Sequence, residues 1–242
     1  MIGVLLVSYG SREACIADIL ARSQERVRLF IADKQRNPFN LRLAEQTGGE
    51  HVVIPDLNVE DIVKFAKKHE DSIDFGVLGP EGPGMKGLRD RIEAETKVKM
   101  ICPTFSFFIE RSKVEQRKVI ARACPRANPE FRVFFPADYS SLEEVKRDVY
   151  DWLDEIGDEV AVKPDAPAVG KGVGVWGDHF SSREEMFEKF FIPNFEKGPV
   201  IVERKLEGEE FSLQFLSDGR HLIPTPAVRD YKRSFEWDRG PN

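Results

Sequence analysis

Residues 160–176 read VAVKPDAPAVGKGVGVW, and their reading decides the fold. The apolar run Val160-Ala161-Val162 ends in Lys163. A loop of small residues and prolines follows, then Gly170-Lys171-Gly172, then Val173-Gly174-Val175. The pattern predicts a strand, a glycine–lysine flap and a second strand. Glycine lets the backbone come close to a bound group and take a positive φ. Backbone N–H groups beside a lysine ammonium suit a polyphosphate. This is not a Walker P-loop, because no Gly-Lys-Ser/Thr is present and no helical pattern follows at once. By itself the stretch also reads as a flexible hairpin with two solvated lysines.

Upstream, strands and helices alternate. Residues 2–8 are a short apolar strand, followed by Tyr9-Gly10-Ser11-Arg12-Glu13 and a helical pattern through Ile16, Ile19 and Leu20. A strand, a glycine turn and a helix N-terminus make an anion site in many α/β folds. Only one glycine stands here where a dinucleotide fingerprint needs three, so an ordinary βα turn fits as well. Residues 28–32, 51–54, 74–78 and 97–101 read as strands, and 59–69 and 86–94 as helices. Such alternation predicts a parallel sheet with helices on both faces, and ligands then sit at the carboxyl ends of the strands. The turn at Gly10 and the loop Gly79-Pro80-Glu81-Gly82-Pro83-Gly84 both fall at that edge.

A boundary is expected at Pro103, giving an N-terminal domain over 1–103 and a second, α+β domain over 104–242. In the second, Glu110-Arg111-Ser112-Lys113 precedes a helix that ends at residue 123, then come a strand over 130–135, a helix over 141–156, a strand over 160–163 and the flap. A helix over 182–189 and strands over 199–206, 211–216 and 221–224 complete it, with a hairpin turn at Ser217-Asp218-Gly219. No internal repeat or low-complexity tract is present.

Composition narrows the class. At 242 residues, with 41% apolar and 32% charged residues, the chain has enough material for one large or two small globular domains. A net charge of −6 argues against a general nucleic-acid binder. No apolar run reaches the length of a membrane span, and MIGVLLVSYG lacks the basic n-region of a signal peptide. Three widely spaced cysteines, Cys15, Cys102 and Cys124, fit a reducing cytoplasm and neither a disulfide framework nor a zinc site. His51, His69, His179 and His221 form no ligand pair, and no metal ligands are assigned within the chain.

Lysines and carboxylates then fall into an order that suits a nucleotide. Lys113 lies just before a helix, and Lys163 and Lys171 flank the flap. Val200-Ile201-Val202 is an apolar strand that ends in Glu203, with Leu206 and Glu210 beyond it. In a closed cleft each charge-assisted lysine–phosphate bond is worth about 1.5–3 kcal/mol. Glu203 would repel phosphate and is better suited to accept from an exocyclic amine such as adenine presents. Glu210 suits ribose hydroxyls, and Lys205 reads as a solvated hinge residue. Singly, each of these residues also reads as half of a surface ion pair.

The series Ser112-Lys113, Val162-Lys163-Pro164-Asp165, Gly170-Lys171-Gly172-Val173, Val202-Glu203 and Leu206-Glu207-Gly208-Glu209-Glu210 resembles the ATP-grasp fold. In detail it is similar to the phosphoribosylamine–glycine ligase family of purine biosynthesis, in an archaeal-looking version. Gly10-Ser11-Arg12-Glu13, Val77-Leu78-Gly79-Pro80-Glu81-Gly82-Pro83, Cys102-Pro103-Thr104, Asp230-Tyr231-Lys232-Arg233 and Gly240-Pro241-Asn242 resemble further motifs of that family. The resemblance runs the whole chain. It implies an N-terminal parallel α/β domain of the kind that precedes an ATP-grasp domain, followed by a partial ATP-grasp α+β domain. It implies ATP with Mg2+ or Mn2+ as cofactors, and glycine and 5-phosphoribosylamine as substrates. No nucleic-acid or membrane partner is implied, and the setting is cytoplasmic.

By that resemblance Lys113, Lys163, Gly170, Lys171 and Gly172 hold the triphosphate, while Glu203, Leu206 (through its backbone) and Glu210 hold the nucleoside. Gly10, Arg12, Glu13, Gly79, Pro80, Glu81, Asp230, Lys232, Arg233, Pro241 and Asn242 face the substrates, and Lys171, Lys232 and Arg233 act in the chemistry. Departures from the family pattern are Ser11 for a glycine, Ala14 for a histidine, Ala166 to Val169 in the flap, and Arg204 for a second glutamate. The family continues beyond Gly-Pro-Asn into a stretch carrying metal-binding Glu and Asn. On this reading the ATP-grasp domain is truncated and the chain by itself is expected to be inactive or incomplete, with its last strands left with an exposed apolar face. A separate C-terminal fragment is then a candidate partner. Two alternatives stay open, a non-catalytic nucleotide-binding fragment and another ATP-grasp carboxylate–amine ligase.

Overall fold

The strand Ile2–Ser8 (β1) is buried along nearly its whole length, and a parallel sheet is built around it in the computed structural model. The structure describes residues 1–165, 172–229, 231, 235 and 236. They fall into two units, Met1–Arg111 and Ser112–Asn242.

In the first unit β1 pairs in parallel with Val27–Asp33 (β2) on one side and Phe75–Leu78 (β4) on the other. Glu50–Val53 (β3) and Lys99–Ile101 (β5) complete the order β3-β2-β1-β4-β5. Successive side chains of β1 point to opposite faces. Val4 and Leu6 pack with Ala17 of helix α1 (Ser11–Ala21) and with Leu43 and Ala44 of helix α2 (Pro38–Gln46). Leu5 and Val7 pack against Ile62 and Phe65 of α3 (Val59–Lys68) and, past the one-turn α4 (Glu81–Gly84), Leu88 and Ile92 of α5 (Leu88–Glu95). A strand covered on both faces must be apolar throughout, which is why β1 shows no alternation in sequence. The unit extends past Pro103: the Phe105 N–H donates to Asp90, and the buried Phe108 ring packs at Gly84.

Helix α2 has no counterpart in the sequence reading, which passed from the second strand to the third. Its start is set by local polar chemistry instead. The Asn37 side chain accepts from the Phe39 and Asn40 N–H groups, and Pro38 occupies the first turn, where no N–H is needed. Asn40 then anchors the helix to the sheet edge, donating to Ser8 Oγ at 3.1 Å and Asp33 Oδ2 at 2.8 Å, with His51 Nε2 3.3 Å from the same carboxylate oxygen.

In the second unit the central strand is Val200–Arg204 (β9). It runs antiparallel between Phe131–Phe134 (β6) and Val160–Pro164 (β7), and Gly174–Val175 (β8) adds to β7. The order among the described residues is β6-β9-β7-β8. Val160, Val162, Val200 and Val202 face a core formed with α7 (Leu142–Ile156) and an aromatic row. The helix expected over 182–189 runs further, through α8 (Arg183–Met186), a π turn (Phe187–Phe191) and α9 (Ile192–Phe195). Phe187, Phe191 and Phe195 stack at centroid spacings of 5.1 and 5.2 Å, so one apolar face continues through the π turn. Pro193 falls near the start of α9, where a missing N–H is tolerated. Helix α6 (Lys113–Ala123) reaches the opposite face of the sheet through Arg117, which bonds Glu203 of β9.

The strand expected over 211–216 is broken into Phe211–Ser212 (β10) and Phe215–Ser217 (β11), since the two pieces pair with different partners. β11 forms the expected hairpin with Leu222–Pro224 (β12), while β10 pairs with Val228–Arg229 (β13). Large apolar side chains here, including Phe211, Phe215, Leu216, Leu222 and Ile223, are exposed. Among the described residues no helix is long and apolar enough to cross a membrane.

Candidate functional site

Two groups of residues converge, one in each unit. In the second unit the site begins with a helix cap. Ser112 Oγ accepts from the Glu115 N–H and so starts α6. Asp165, just past β7, accepts from Ser112 Oγ at 2.9 Å and from the Val114 N–H at 2.8 Å, and its carbonyl accepts from the Lys113 N–H at 3.0 Å. A carboxylate at a helix N-terminus is electrostatically favoured. Asp165 thereby ties the start of α6 to the end of β7, and Lys113 comes next to Lys163.

On β9 side chains alternate, so Ile201 and Glu203 face away from the aromatic core, and Lys163 does the same on β7. Lys163 and Glu203 are diagonal neighbours across the two strands, and Lys163 Nζ donates to Glu203 Oε1 at 2.5 Å. Arg117, four residues along α6 from Lys113, meets the same carboxylate in a fork, Nε to Oε2 at 2.9 Å and Nη2 to Oε1 at 2.8 Å. Arg117 is held in turn: its Nη1 donates to Asn128 Oδ1 at 3.3 Å, and its carbonyl accepts from Asn128 Nδ2 at 2.8 Å.

Lys113, Gln116, Arg117, Lys163, Ile201 and Glu203 line a cleft of about 140 Å³. Three cations share it with one carboxylate, leaving an excess of positive charge. Burial, with the neighbouring Lys163 charge, holds the Lys113 ammonium below its ordinary pKa against the pull of Asp165 and Glu203. An arriving anion would relieve that repulsion. The cleft is suited to a polyanion with several oxygens.

The flap's far end is fixed by Asn194, whose Nδ2 donates to the Gly172 carbonyl at 2.7 Å. Gly172 has φ +82°, which favours glycine, and a Cβ there would crowd Asn194 Oδ1 at 3.0 Å. Gly170 and Lys171, with the rest of the flap over 166–171, lie outside the described residues. Leu206 and Glu210 lie on the exposed stretch after β9 and do not line the cleft. Lys205 departs from the solvated reading: its Nζ donates to the Trp176 carbonyl at 2.9 Å, because the strand end turns it back toward β8.

In the first unit the loops after β1 and β4 meet at the point where the chain order reverses about β1, which is where open α/β sheets bind ligands. Gly10, Arg12, Glu13, Gly79, Pro80 and Glu81 all lie there. Glu13 is buried, its Oε2 accepting from the Tyr9 and Gly10 N–H groups at 3.2 and 2.9 Å and its Oε1 from Arg12 Nε at 2.8 Å. Arg12 Nη2 donates to the Gly79 carbonyl at 2.9 Å. Burial alone would raise the Glu13 pKa, but the Arg12 bond and the two N–H groups outweigh it and hold the carboxyl below its usual range. Glu13 therefore organises the two loops, and the exposed guanidinium edge of Arg12 faces solvent.

Asp230, Lys232, Arg233, Pro241 and Asn242 lie outside the described residues. Among the described residues no three of His, Cys, Asp and Glu come together as metal ligands. Asp165 and Glu203 are committed to the bonds above, so the described residues do not fit a protein-held divalent cation.

Two models of one family match the chain: the N domain of phosphoribosylglycinamide synthetase over residues 2–106, and its ATP-grasp (A) domain over 133–242. The chain belongs to the phosphoribosylglycinamide synthetase family. Members it resembles include the phosphoribosylamine–glycine ligases of Methanopyrus kandleri, 36% identical over 100% of this chain and 51% of that protein, and of Pyrococcus horikoshii, 34% identical over 98% and 50%. The crystal structure of phosphoribosylamine–glycine ligase from Thermotoga maritima superposes with a TM-score of 0.71 at 21% identity, over 100% of this chain and 53% of that one. The chain thus spans about half the length of these relatives. The parallel α/β unit followed by an ATP-grasp unit is the fold of this family.

Arg117, Asn128 and Asp165 escaped the sequence reading as site-forming residues. Arg117 had a legible signal, since residues four apart share a helix face and Lys113 was already assigned to the site. Asn128 had none, because its contact depends on how the chain returns after α6.

Proposed function

We propose that the chain is the nucleotide-binding and amine-side portion of an ATP-dependent ligase that joins glycine to 5-phosphoribosylamine, giving glycinamide ribonucleotide. The observation that supports this most is the convergence of Lys113, Lys163 and Arg117 on one cleft in a chain of this family. A glycine carboxylate is a poor electrophile, because its leaving group would be oxide. Transfer of the γ-phosphoryl group makes glycyl phosphate, and the ribosylamine nitrogen then displaces phosphate at the acyl carbon. Such transfer depends on positioning and charge neutralisation.

In this reading Lys113 and Lys163 hold triphosphate oxygens, and Asp165 sets Lys113 in place through the α6 cap. The nucleoside lies along the chain after Glu203, toward Leu206 and Glu210. Magnesium would arrive with the nucleotide, because the described residues do not fit a protein-held divalent cation. Lys171, Lys232 and Arg233 are proposed for the chemical step. Gly10, Arg12, Gly79, Pro80 and Glu81 are proposed for the substrate side, together with Glu13 as their organiser and Asp230, Pro241 and Asn242.

Because the relatives carry as much sequence again, the assay has two arms. ATP, glycine and freshly made phosphoribosylamine are supplied to the chain alone and to the chain mixed with the C-terminal half of the Methanopyrus kandleri relative. Product that requires all three substrates in the mixed arm is expected. Its absence, with no ATP binding by calorimetry, would defeat the reading.

A further inference from the structure

We propose that Arg117 is the standing counter-ion of Glu203, and that Lys163 is a mobile one that turns from Glu203 to a phosphate when a polyphosphate enters the cleft. Arg117 is thus a positioning residue for the nucleotide. The inference rests on the ATP-binding reading above and adds to it how the site handles its own buried carboxylate.

Glu203 is 3% exposed. A carboxylate so buried cannot be left without a partner, because breaking a buried ion pair strands an uncompensated charge. Its two cations differ in kind. Arg117 grips both oxygens with a planar fork and is itself locked by Asn128 at both its Nη1 and its carbonyl. That arrangement is pre-organised and has no spare freedom. Lys163 reaches one oxygen through a single bond from a rotatable stem. It also stands beside Lys113, whose charge repels it.

An anion entering between the two lysines gains both ammonium groups. Lys163 can leave Glu203 at small cost, since Arg117 still satisfies both oxygens. The same arrangement removes a conflict in the site. A bare Glu203 would repel the incoming phosphates, whereas the Arg117-bound carboxylate is neutralised throughout. Two cations on one carboxylate are redundant in the empty cleft, and the redundancy becomes useful once one is withdrawn. In the reverse case, without Arg117, Lys163 would be the principal cation left on Glu203 and would be held away from phosphate.

The test uses calorimetry with ATP, inorganic tripolyphosphate and adenosine on the full chain and on Arg117→Gln, Arg117→Lys, Glu203→Gln and Arg117→Gln/Glu203→Gln. Arg117→Gln is expected to weaken ATP and tripolyphosphate by about tenfold or more while adenosine changes little. Removing the carboxylate as well should free Lys163, so the double variant should recover most of the lost affinity. Arg117→Lys, which keeps the charge but loses the fork and the bond to Asn128 Oδ1, should fall between the parent and Arg117→Gln. A merely structural role for Arg117 predicts equal losses for all three ligands and no recovery. ATP binding by the parent with an unchanged Arg117→Gln, or with additive losses in the double variant, would overturn the inference and leave the proposed function standing. Failure of the parent to bind either ATP or tripolyphosphate would overturn both.

Discussion

Gly79 lies directly over the Glu13 side chain: a Cβ on Gly79 would sit 2.1 Å from Glu13 Cγ and 2.4 Å from its Oε1. The loop after β4 is glycine because a buried carboxylate from α1 passes beneath it. Gly79→Ala should therefore cost stability through overpacking, about 1–3 kcal/mol by urea unfolding. Combining it with Glu13→Ala should give less than the sum of the two losses, because the second change removes the group that the new methyl meets. Strict additivity would mean that the two loops are not coupled through this contact.

The same carboxyl predicts a pH dependence. Its pKa is lower in the folded chain than its ordinary value of 4.5, through the Arg12 and backbone N–H bonds overcoming burial. A depressed carboxyl stabilises the fold fully above the unfolded value, and that contribution disappears as pH falls from about 4.5 through the folded pKa. Glu13→Gln should be less stable than the parent at pH 7, and the difference should shrink as the solution is acidified below pH 4. Unfolding curves collected at several pH values decide it; a gap that widens in acid would contradict the assignment.

Asp165 holds the start of α6 from outside the helix. Asp165→Ala removes the acceptor for Ser112 Oγ and the Val114 N–H and should destabilise the second unit by about 1 kcal/mol, as lost helix caps do. It should also weaken ATP binding, because Lys113 sits at the first position of that helix. Asp165→Asn keeps one oxygen acceptor and should lose less on both measures. If thermal melting shifts but ATP affinity does not, Lys113 is not positioned by this cap.

Lys163, on β7, and Lys205, just past the end of β9, serve different ends. Lys163→Ala should weaken ATP by about tenfold or more, with unfolding little changed, since Arg117 still neutralises Glu203. Lys205→Ala should leave ATP affinity nearly intact and lower stability slightly through the lost bond to the Trp176 carbonyl. Paired titrations and melts separate the two; equal losses of ATP affinity would show that the phosphates lie elsewhere.

Much of the fold was legible because local pattern and tertiary role agree. An apolar β1, the apolar stripe of α3 and the Ser217-Asp218-Gly219 turn each state their structure within a few residues. Helix α2 was not read, although Asn37-Pro38 is a helix-start signal, because its buried face mixes Asn40 with Leu43 and Ala44 and so shows no clean apolar stripe. The π turn through Phe187–Phe191 was missed as well, since it depends on stacking between rings on successive turns.

The order of motifs along the chain determined the family, the strand–helix alternation and the lysines of the cleft. Those properties depend on residue type and spacing, which a linear sequence states directly. Tertiary structure alone decided what each charge is paired with. Glu203 looks in sequence like an acceptor at the end of a strand, and it is enclosed by Arg117 from α6 and Lys163 from β7. Glu13 is expected from the motif to face substrate, and the fold also makes it the buried tie between two loops. The reason is physical: a buried charge must be met by partners wherever the fold brings them, and those partners come from elements 40 and 86 residues away from Glu203.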